Sequence, residues 1–121
     1  MKSMLIFILA FTSLAIAQQP PTDFPEGSIP LTAEELKSAV ADKVFTAQPV
    51  SGTAWRLQYN RSGYFFVNVG SFSDSGKWST KDSTLCTEGR QVKYFCNEFR
   101  IKDGTLYMKR ENGEVLQMVL K

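Results

Sequence analysis

The hydrophobic period of the chain changes near residue 44. From there onward the positions alternate with a period of two, which is typical of strands with one buried and one solvated face. The clearest alternation lies in 53–60, where the face expected to be buried consists of Thr53, Trp55, Leu57 and Tyr59. The next stretch, 64–69, is apolar on both faces, which predicts a strand in the centre of a sheet.

Turn signals divide the rest of the chain into short segments. The polar stretch 71–76 predicts a loop, which is followed by a short strand at 77–80. Further strands are predicted at 83–87 and at 92–102, and the second of these is the longest of the set. The segments are therefore short and closely spaced, as in sandwiches and barrels.

Two glycine-containing dipeptides punctuate the end of the chain. Asp103-Gly104 and Asn112-Gly113 are both signals for type I′ hairpins, so the last three strands, ending with 114–120, should form an antiparallel meander. With about seven or eight strands in all, we expect a mainly β fold, either an antiparallel barrel or a strongly bent meander sheet, with one short N-terminal helix.

That helix has a well-marked beginning. Thr32 has the N-cap position, and Glu35, three residues later, completes a capping box. The apolar face at helical spacing consists of Leu36, Ala39, Val40 and, at its margin, Val44. So narrow a stripe favours packing against the rest of the domain over the binding of a partner.

The N-terminus has the pattern of a secretory signal peptide over residues 1–17. Lys2 supplies a positive charge, 4–11 form an apolar run, and Ala15-Ile16-Ala17 has the small residues that signal peptidase accepts, so cleavage is expected after Ala17. The apolar run is shorter than the ~20 residues that span a bilayer, which argues against an uncleaved anchor. No membrane span is expected after cleavage.

The mature chain is expected to form one domain. The proline-rich residues 18–30 cannot form a helix or a central strand and predict a flexible tether, which leaves 31–121 as a single helix-plus-β domain. The whole chain has 14 basic and 12 acidic residues and a net charge of +2, which falls to +1 when Lys2 is removed. This balance lacks the dense basic face that nucleic-acid binding needs.

The two cysteines, Cys86 and Cys96, are predicted to form one disulfide. Export places them in a compartment in which thiols oxidise. Folding the chain about Gln91, their midpoint, would bring them opposite each other on neighbouring strands. The alternative, a redox pair, normally has the closer Cys-x-x-Cys spacing at the start of a helix.

Several short motifs occur in a recognisable order, namely Leu31-Thr32-Ala33-Glu34-Glu35-Leu36, Gly76-Lys77-Trp78, Leu85-Cys86, Cys96 and Asn112-Gly113-Glu114. In this order the chain, from about Leu31 to Leu120, resembles a family of small exported bacterial proteins of uncharacterised function. That family shares a Leu-Thr-Ala-Glu-Glu-like helix start, a Gly-x-Trp, a Leu-Cys and a second Cys about ten residues later. The chain differs beside Cys86, where it has Thr87 and Glu88 and lacks an aromatic residue. The resemblance implies the fold and the compartment, and no activity.

The sequence has no constellation of catalytic, metal-binding or cofactor-binding residues. It contains no histidine, which removes the commonest general base, the commonest zinc ligand and every Ser-His or Cys-His pair. The carboxylates are placed like helix-start or loop charges that stay solvated, as in Glu34-Glu35, Asp74, Asp82 and Glu88. We therefore expect no enzyme, no cofactor and no metal.

One aromatic residue in the predicted loop at 71–76 is the candidate contact residue. Phe72 lies among serines, Asp74 and Gly76, with no periodic reason to be buried. The alternative is a phenylalanine packed under its own loop.

These observations favour an exported, non-enzymatic binding or interaction module of the bacterial cell envelope, periplasmic or secreted. One partner class is a small apolar ligand in a barrel lined by the aromatic set Trp55, Tyr64, Phe66, Trp78, Tyr94 and Tyr107. The other is an envelope protein, such as a hydrolase that the domain inhibits, since Ser62-Gly63-Tyr64 is similar, at shorter spacing, to the loop of small β-barrel lysozyme inhibitors. A hydrolase is the third alternative. A cavity above about 300 Å³ would favour the ligand.

Overall fold

The computed structural model describes residues 19–121, so the predicted signal peptide and its cleavage site lie outside the described residues. Over this range the chain forms one helix and eight strands: α1 Ala33–Val40, β1 Lys43–Ala47, β2 Trp55–Tyr59, β3 Tyr64–Val69, β4 Phe72–Lys81, β5 Thr84–Gly89, β6 Phe95–Lys102, β7 Thr105–Lys109 and β8 Val115–Leu120. Each strand pairs antiparallel with the next, and β8 pairs with β1 to close a barrel. The predicted mainly β fold with one short helix is confirmed.

From Trp55 onward, the alternation predicted for β2 matches the inside and outside of this barrel, whereas Thr53, predicted on the same buried face, is exposed and precedes the strand. Leu57 and Tyr59 are buried on the inner face, whereas the polar residues between them face outward. On β3 the inner position is Phe65, and the outward Tyr64 and Phe66 are 50% and 40% exposed. The apolar residues on both faces predicted a central strand, and β3 does pair with β2 and β4. Its outward face is nevertheless not buried, because each strand of a closed barrel has one face outside the core.

The stretch predicted as a polar loop, 71–76, belongs to a strand. β4 begins at Phe72 and is ten residues long, which makes it the longest strand among the described residues. It pairs with β3 on one side and with β5 on the other, so its backbone groups are satisfied despite a composition typical of loops. The strand predicted at 92–102 begins only at Phe95, in β6, because 90–94 form the connection from β5.

The two predicted hairpins differ. At Asp103-Gly104 both residues have positive φ, 49° and 79°, which confirms a type I′ turn. At Asn112-Gly113 only Gly113 has positive φ, and its N–H donates to the carbonyl oxygen of Arg110. That second connection is a longer turn ending in a left-handed glycine, so the type I′ prediction there was wrong.

The helix has the predicted capping box and closes one end of the barrel. Thr32 and Glu35 exchange the two expected hydrogen bonds, and Leu36 and Val40 are fully buried. The helix ends at Val40, so Val44, predicted at its margin, belongs to β1. Within residues 19–121, no helix is long and apolar enough to span a bilayer.

The described part of the proline-rich segment, 19–30, runs along the outer wall and contains a turn at Glu26-Gly27. Pro21 accepts a hydrogen bond from the Val115 N–H, and Ile29 exchanges two backbone hydrogen bonds with Ile101 in β6. The Phe24 ring lies beneath the Arg100 guanidinium. These contacts join residues far apart in the chain, and the composition of the segment, which predicted a flexible tether, did not indicate them.

Candidate functional site

The barrel contains a cavity of about 820 Å³. Its inner wall is mostly apolar and consists of inward-facing side chains of β2, β3, β5, β6 and β7, including Leu57, Tyr59, Phe65, Val67, Leu85 and Met108. The volume exceeds the threshold of about 300 Å³ at which a cavity favours a ligand over a solid core.

The two ends of the cavity differ. At one end, α1 and the preceding chain cover the barrel, where the Thr80 hydroxyl donates to the Ala33 carbonyl oxygen and Ser83 Oγ accepts from the Leu31 N–H. At the other end lie the connections between strands, and residues 92–95 and 110–112 line the opening. We call this opening the rim, and the end under the helix, at Tyr59, the floor.

One side of the rim is the connection 90–94, which a buried carboxylate fixes. Asp74 accepts backbone hydrogen bonds from Arg90, Gln91 and Val92 at 3.1, 3.1 and 2.8 Å. The Val92 N–H contributes most to lowering the pKa of Asp74, and the other N–H donors outweigh the remaining effect of burial. The prediction that Asp74 is a solvated loop charge was wrong.

Two glycines let the strands approach closely beside Asp74. Gly76 and Gly89 are paired across β4 and β5, and a Cβ on Gly76 would overlap the Glu88 carbonyl oxygen. A Cβ on Gly89 would overlap the Asp74 carboxylate. The glycine of the Gly-x-Trp motif is thus required by backbone contact at this point.

The disulfide braces the base of the same connection. Cys86 and Cys96 lie opposite each other in the β5–β6 register and are bonded, which confirms the predicted pairing. Asp74 and the disulfide together fix both the turn and the strands from which Val92, Lys93 and Tyr94 reach the rim.

The opposite side of the rim is fixed by a second buried carboxylate, Glu114. It accepts a hydrogen bond from the Val50 N–H at 2.9 Å and forms an ion pair with Arg110 at 2.6 Å. The Arg110 guanidinium lies over the Trp55 ring, 4.7 Å from its centroid. Burial raises the pKa of Glu114, but the Val50 N–H and Arg110 outweigh it, so the pKa lies below its ordinary value. Glu114 thereby joins two rim connections.

We expect acid to loosen the rim. In the folded chain, the pKa of Asp74 and that of Glu114 lie below their ordinary values of 3.8 and 4.5. The two carboxylates therefore stabilise the fold fully at a pH above these ordinary values, and this stabilisation is lost as the pH falls through the lower pKa values of the folded state. Urea unfolding between about pH 5 and pH 2 should show this loss, and the slope should be shallower in Asp74→Asn and Glu114→Gln. Identical slopes in all three proteins would contradict this role.

The structure places only part of the predicted aromatic set at the cavity. Trp55 and Tyr94 line it, whereas Tyr64 and Phe66 face outward. Tyr107 lies between the inward Leu106 and Met108 and also faces outward. Trp78 is buried in the core without lining the cavity. Three aromatic residues that were not in the predicted set also line the cavity, namely Tyr59, Phe65 and Phe95.

The predicted contact residue, Phe72, lies at the rim. It is the first residue of β4, it is 40% exposed, and it lines the cavity. Its position opposite Val69 at the start of the β3–β4 pairing explains its exposure, since the hairpin turn follows at once.

The lining of the cavity is suited to holding a molecule. Its charged lining residues, Lys93, Arg110 and Glu111, all lie at the rim, and the wall below them is apolar apart from Thr87 and Asn97. Among residues 19–121 there is no group of three or more side chains arranged to hold a metal ion. Comparison of the chain with protein-family models, curated proteins and solved structures finds no match.

A second, polar groove lies on the outer wall. It crosses β2 to β4 beside the 90–94 connection and is lined by Arg56, Gln58, Phe66, Asn68, Arg90 and Gln91, among others. Arg56 donates to Gln58, and Gln58 in turn donates to Asn60. The groove is shallow and hydrophilic, in contrast to the cavity inside the barrel.

Proposed function

We propose that this protein is an exported, non-enzymatic binding protein of the bacterial cell envelope that holds a small apolar molecule inside its barrel. The observation that carries the proposal is the apolar cavity of about 820 Å³, closed at one end by α1 and open at the other. Cavities of about 300–1,000 Å³ with mostly apolar walls and a few polar groups are the usual form of small-molecule sites.

The construction of the rim supports this role. Two buried carboxylates, a disulfide and a cation–π contact fix connections that would otherwise be mobile loops. Such preformed openings reduce the ordering cost of binding. The disulfide also fits a compartment outside the cytoplasm, where thiols oxidise, and a periplasmic or secreted location is part of the proposal.

The test is a titration with N-phenyl-1-naphthylamine, a neutral dye that fluoresces in apolar surroundings. We expect a saturable increase in fluorescence with the wild-type protein. Val67→Trp, which fills the cavity, should weaken binding about tenfold or more. Val119→Trp is the matched control, because Val119 is 48% exposed on the barrel surface. Equal binding by both variants and the wild type would contradict binding in the cavity.

A substitution at the rim separates contact from folding. Phe72→Ser should leave the melting temperature nearly unchanged, because the side chain is 40% exposed, and should weaken binding of the dye several-fold by removing apolar contact area. Thermal unfolding and dye titration of the same preparation give both values. A fall of many degrees in the melting temperature would show that Phe72 is a core residue.

One observation favours a second function, the binding of an envelope protein such as a hydrolase. Tyr64 and Phe66 follow the Ser62-Gly63 turn and expose their rings on the outer wall beside the polar groove. Exposed aromatic side chains beside arginines are typical of protein interfaces. If the wild type retains an envelope protein on purification and Phe66→Ala does not, while both bind the dye equally, this alternative would be supported.

A further inference from the structure

The floor of the cavity holds a buried hydroxyl. Tyr59 is the last residue of β2, 2% exposed, and lines the cavity. The rings of Phe45 and Trp78 lie against it, with centroids 6.4 and 5.7 Å from its own. The indole N–H of Trp78 donates to the Asn60 carbonyl oxygen and is not free for a ligand.

The Tyr59 hydroxyl has no hydrogen-bond partner among residues 19–121. Burial alone raises the pKa of Tyr59, without a contribution from any hydrogen bond. Within the same residues, Ser28 Oγ is the only side-chain polar atom that has neither a hydrogen-bond partner nor contact with solvent. The Tyr59 hydroxyl also has no partner, so it must be accessible from the cavity that Tyr59 lines. Because its pKa is raised, it stays protonated and is available as a donor.

The Tyr59 hydroxyl faces a cavity that is open to solvent at the rim, so the cost of an unpaired hydroxyl arises when a ligand displaces the solvent from the floor. A ligand without an acceptor would leave the hydroxyl without a hydrogen bond, whereas a ligand oxygen at the floor would accept one. The floor offers no positive charge, since the cationic lining residues, Lys93 and Arg110, are at the rim. A carboxylate that entered first would therefore lose its solvation without a counter-ion.

We propose that the ligand is an apolar molecule with a neutral oxygen acceptor, such as a carbonyl, at the end that enters first, and that the Tyr59 hydroxyl donates to this oxygen. This inference rests on the proposed binding in the cavity and adds the class of ligand. The rest of the ligand contacts the apolar wall, and the rim surrounds its outer end.

The test compares two compounds of nearly equal shape, 2-acetylnaphthalene, which has a carbonyl, and 2-ethylnaphthalene, which has none. Each displaces the dye from the wild type, from Tyr59→Phe and from Tyr107→Phe, the matched control on the outer wall. We expect the ratio of the two dissociation constants to shift against the ketone by about fivefold or more in Tyr59→Phe and to stay unchanged in Tyr107→Phe.

A second measurement does not depend on a variant. The carbonyl stretching band of 2-acetylnaphthalene bound to the wild type should lie at lower frequency than in a hydrocarbon solvent, as expected for a hydrogen-bonded carbonyl. Binding of both compounds with the same ratio in wild type and Tyr59→Phe, or with an unshifted band, would overturn this inference alone. Failure of both compounds to bind the wild type would overturn it together with the cavity proposal.

Discussion

Replacing Phe99 by alanine is expected to lower the free energy of unfolding by about 3–5 kcal/mol. Phe99 is fully buried on the inner face of β6 and is among the largest of the fully buried side chains. Its carbonyl oxygen also accepts the Ser83 hydroxyl, which in turn accepts from the Leu31 N–H and so ties the barrel to the chain before α1. Because the side chain is fully buried in the core, its removal leaves a cavity there.

The matched control for this substitution is Phe66→Ala. Phe66 has the same side chain, but it is 40% exposed on the outer wall of β3, so its loss should cost about 1 kcal/mol or less. The sequence placed Phe66 among the aromatic residues expected to line the barrel, where its loss would be large. Urea unfolding of both variants decides between the two assignments, and equal losses would contradict the inside and outside faces described for the barrel.

Removing the disulfide is expected to have the second large effect. The bond closes the chain between β5 and β6, so Cys86→Ser/Cys96→Ser should lower the free energy of unfolding by about 2–5 kcal/mol. The double variant avoids a free thiol that could form dimers. The measurement is again urea unfolding, read at one pH.

Reduction of the wild-type protein serves as the control for the double variant. If the bond and not the serine side chains accounts for the change, the wild type in dithiothreitol should lose a similar amount of stability. A titration of thiols in denaturant should find none before reduction. Two reactive thiols per chain, or an unchanged stability in the double variant, would contradict the expected contribution of the bond.

The sequence could predict the barrel because its local signals agree with one another. The capping box at Thr32, the period of two in β2 and the Asp103-Gly104 turn each depend on neighbouring residues, and each was confirmed. The faces of β3 could not be assigned in the same way. Both of its faces are apolar, so the pattern does not indicate which one lies inside a closed sheet.

The parts of the candidate site that the sequence missed depend on contacts between distant residues. Asp74 accepts from residues 16 to 18 positions further along the chain, and Glu114 accepts from Val50, which is 64 positions away. A carboxylate with such partners has the same local sequence as a solvated one. Tyr59 was correctly placed on a buried face, but only the closed barrel shows that this face surrounds a cavity.

The most direct test of the proposed cavity function is native mass spectrometry of the protein purified without detergent from the cells that produce it naturally. We expect a fraction of the wild-type protein to carry a non-covalent adduct of a few hundred daltons, which is lost on denaturation and is absent from Val67→Trp. The denatured mass should equal that of the disulfide-bonded chain. Bare-chain mass alone in both proteins, with no binding of the dye by either, would contradict the proposal that the barrel holds a small apolar molecule.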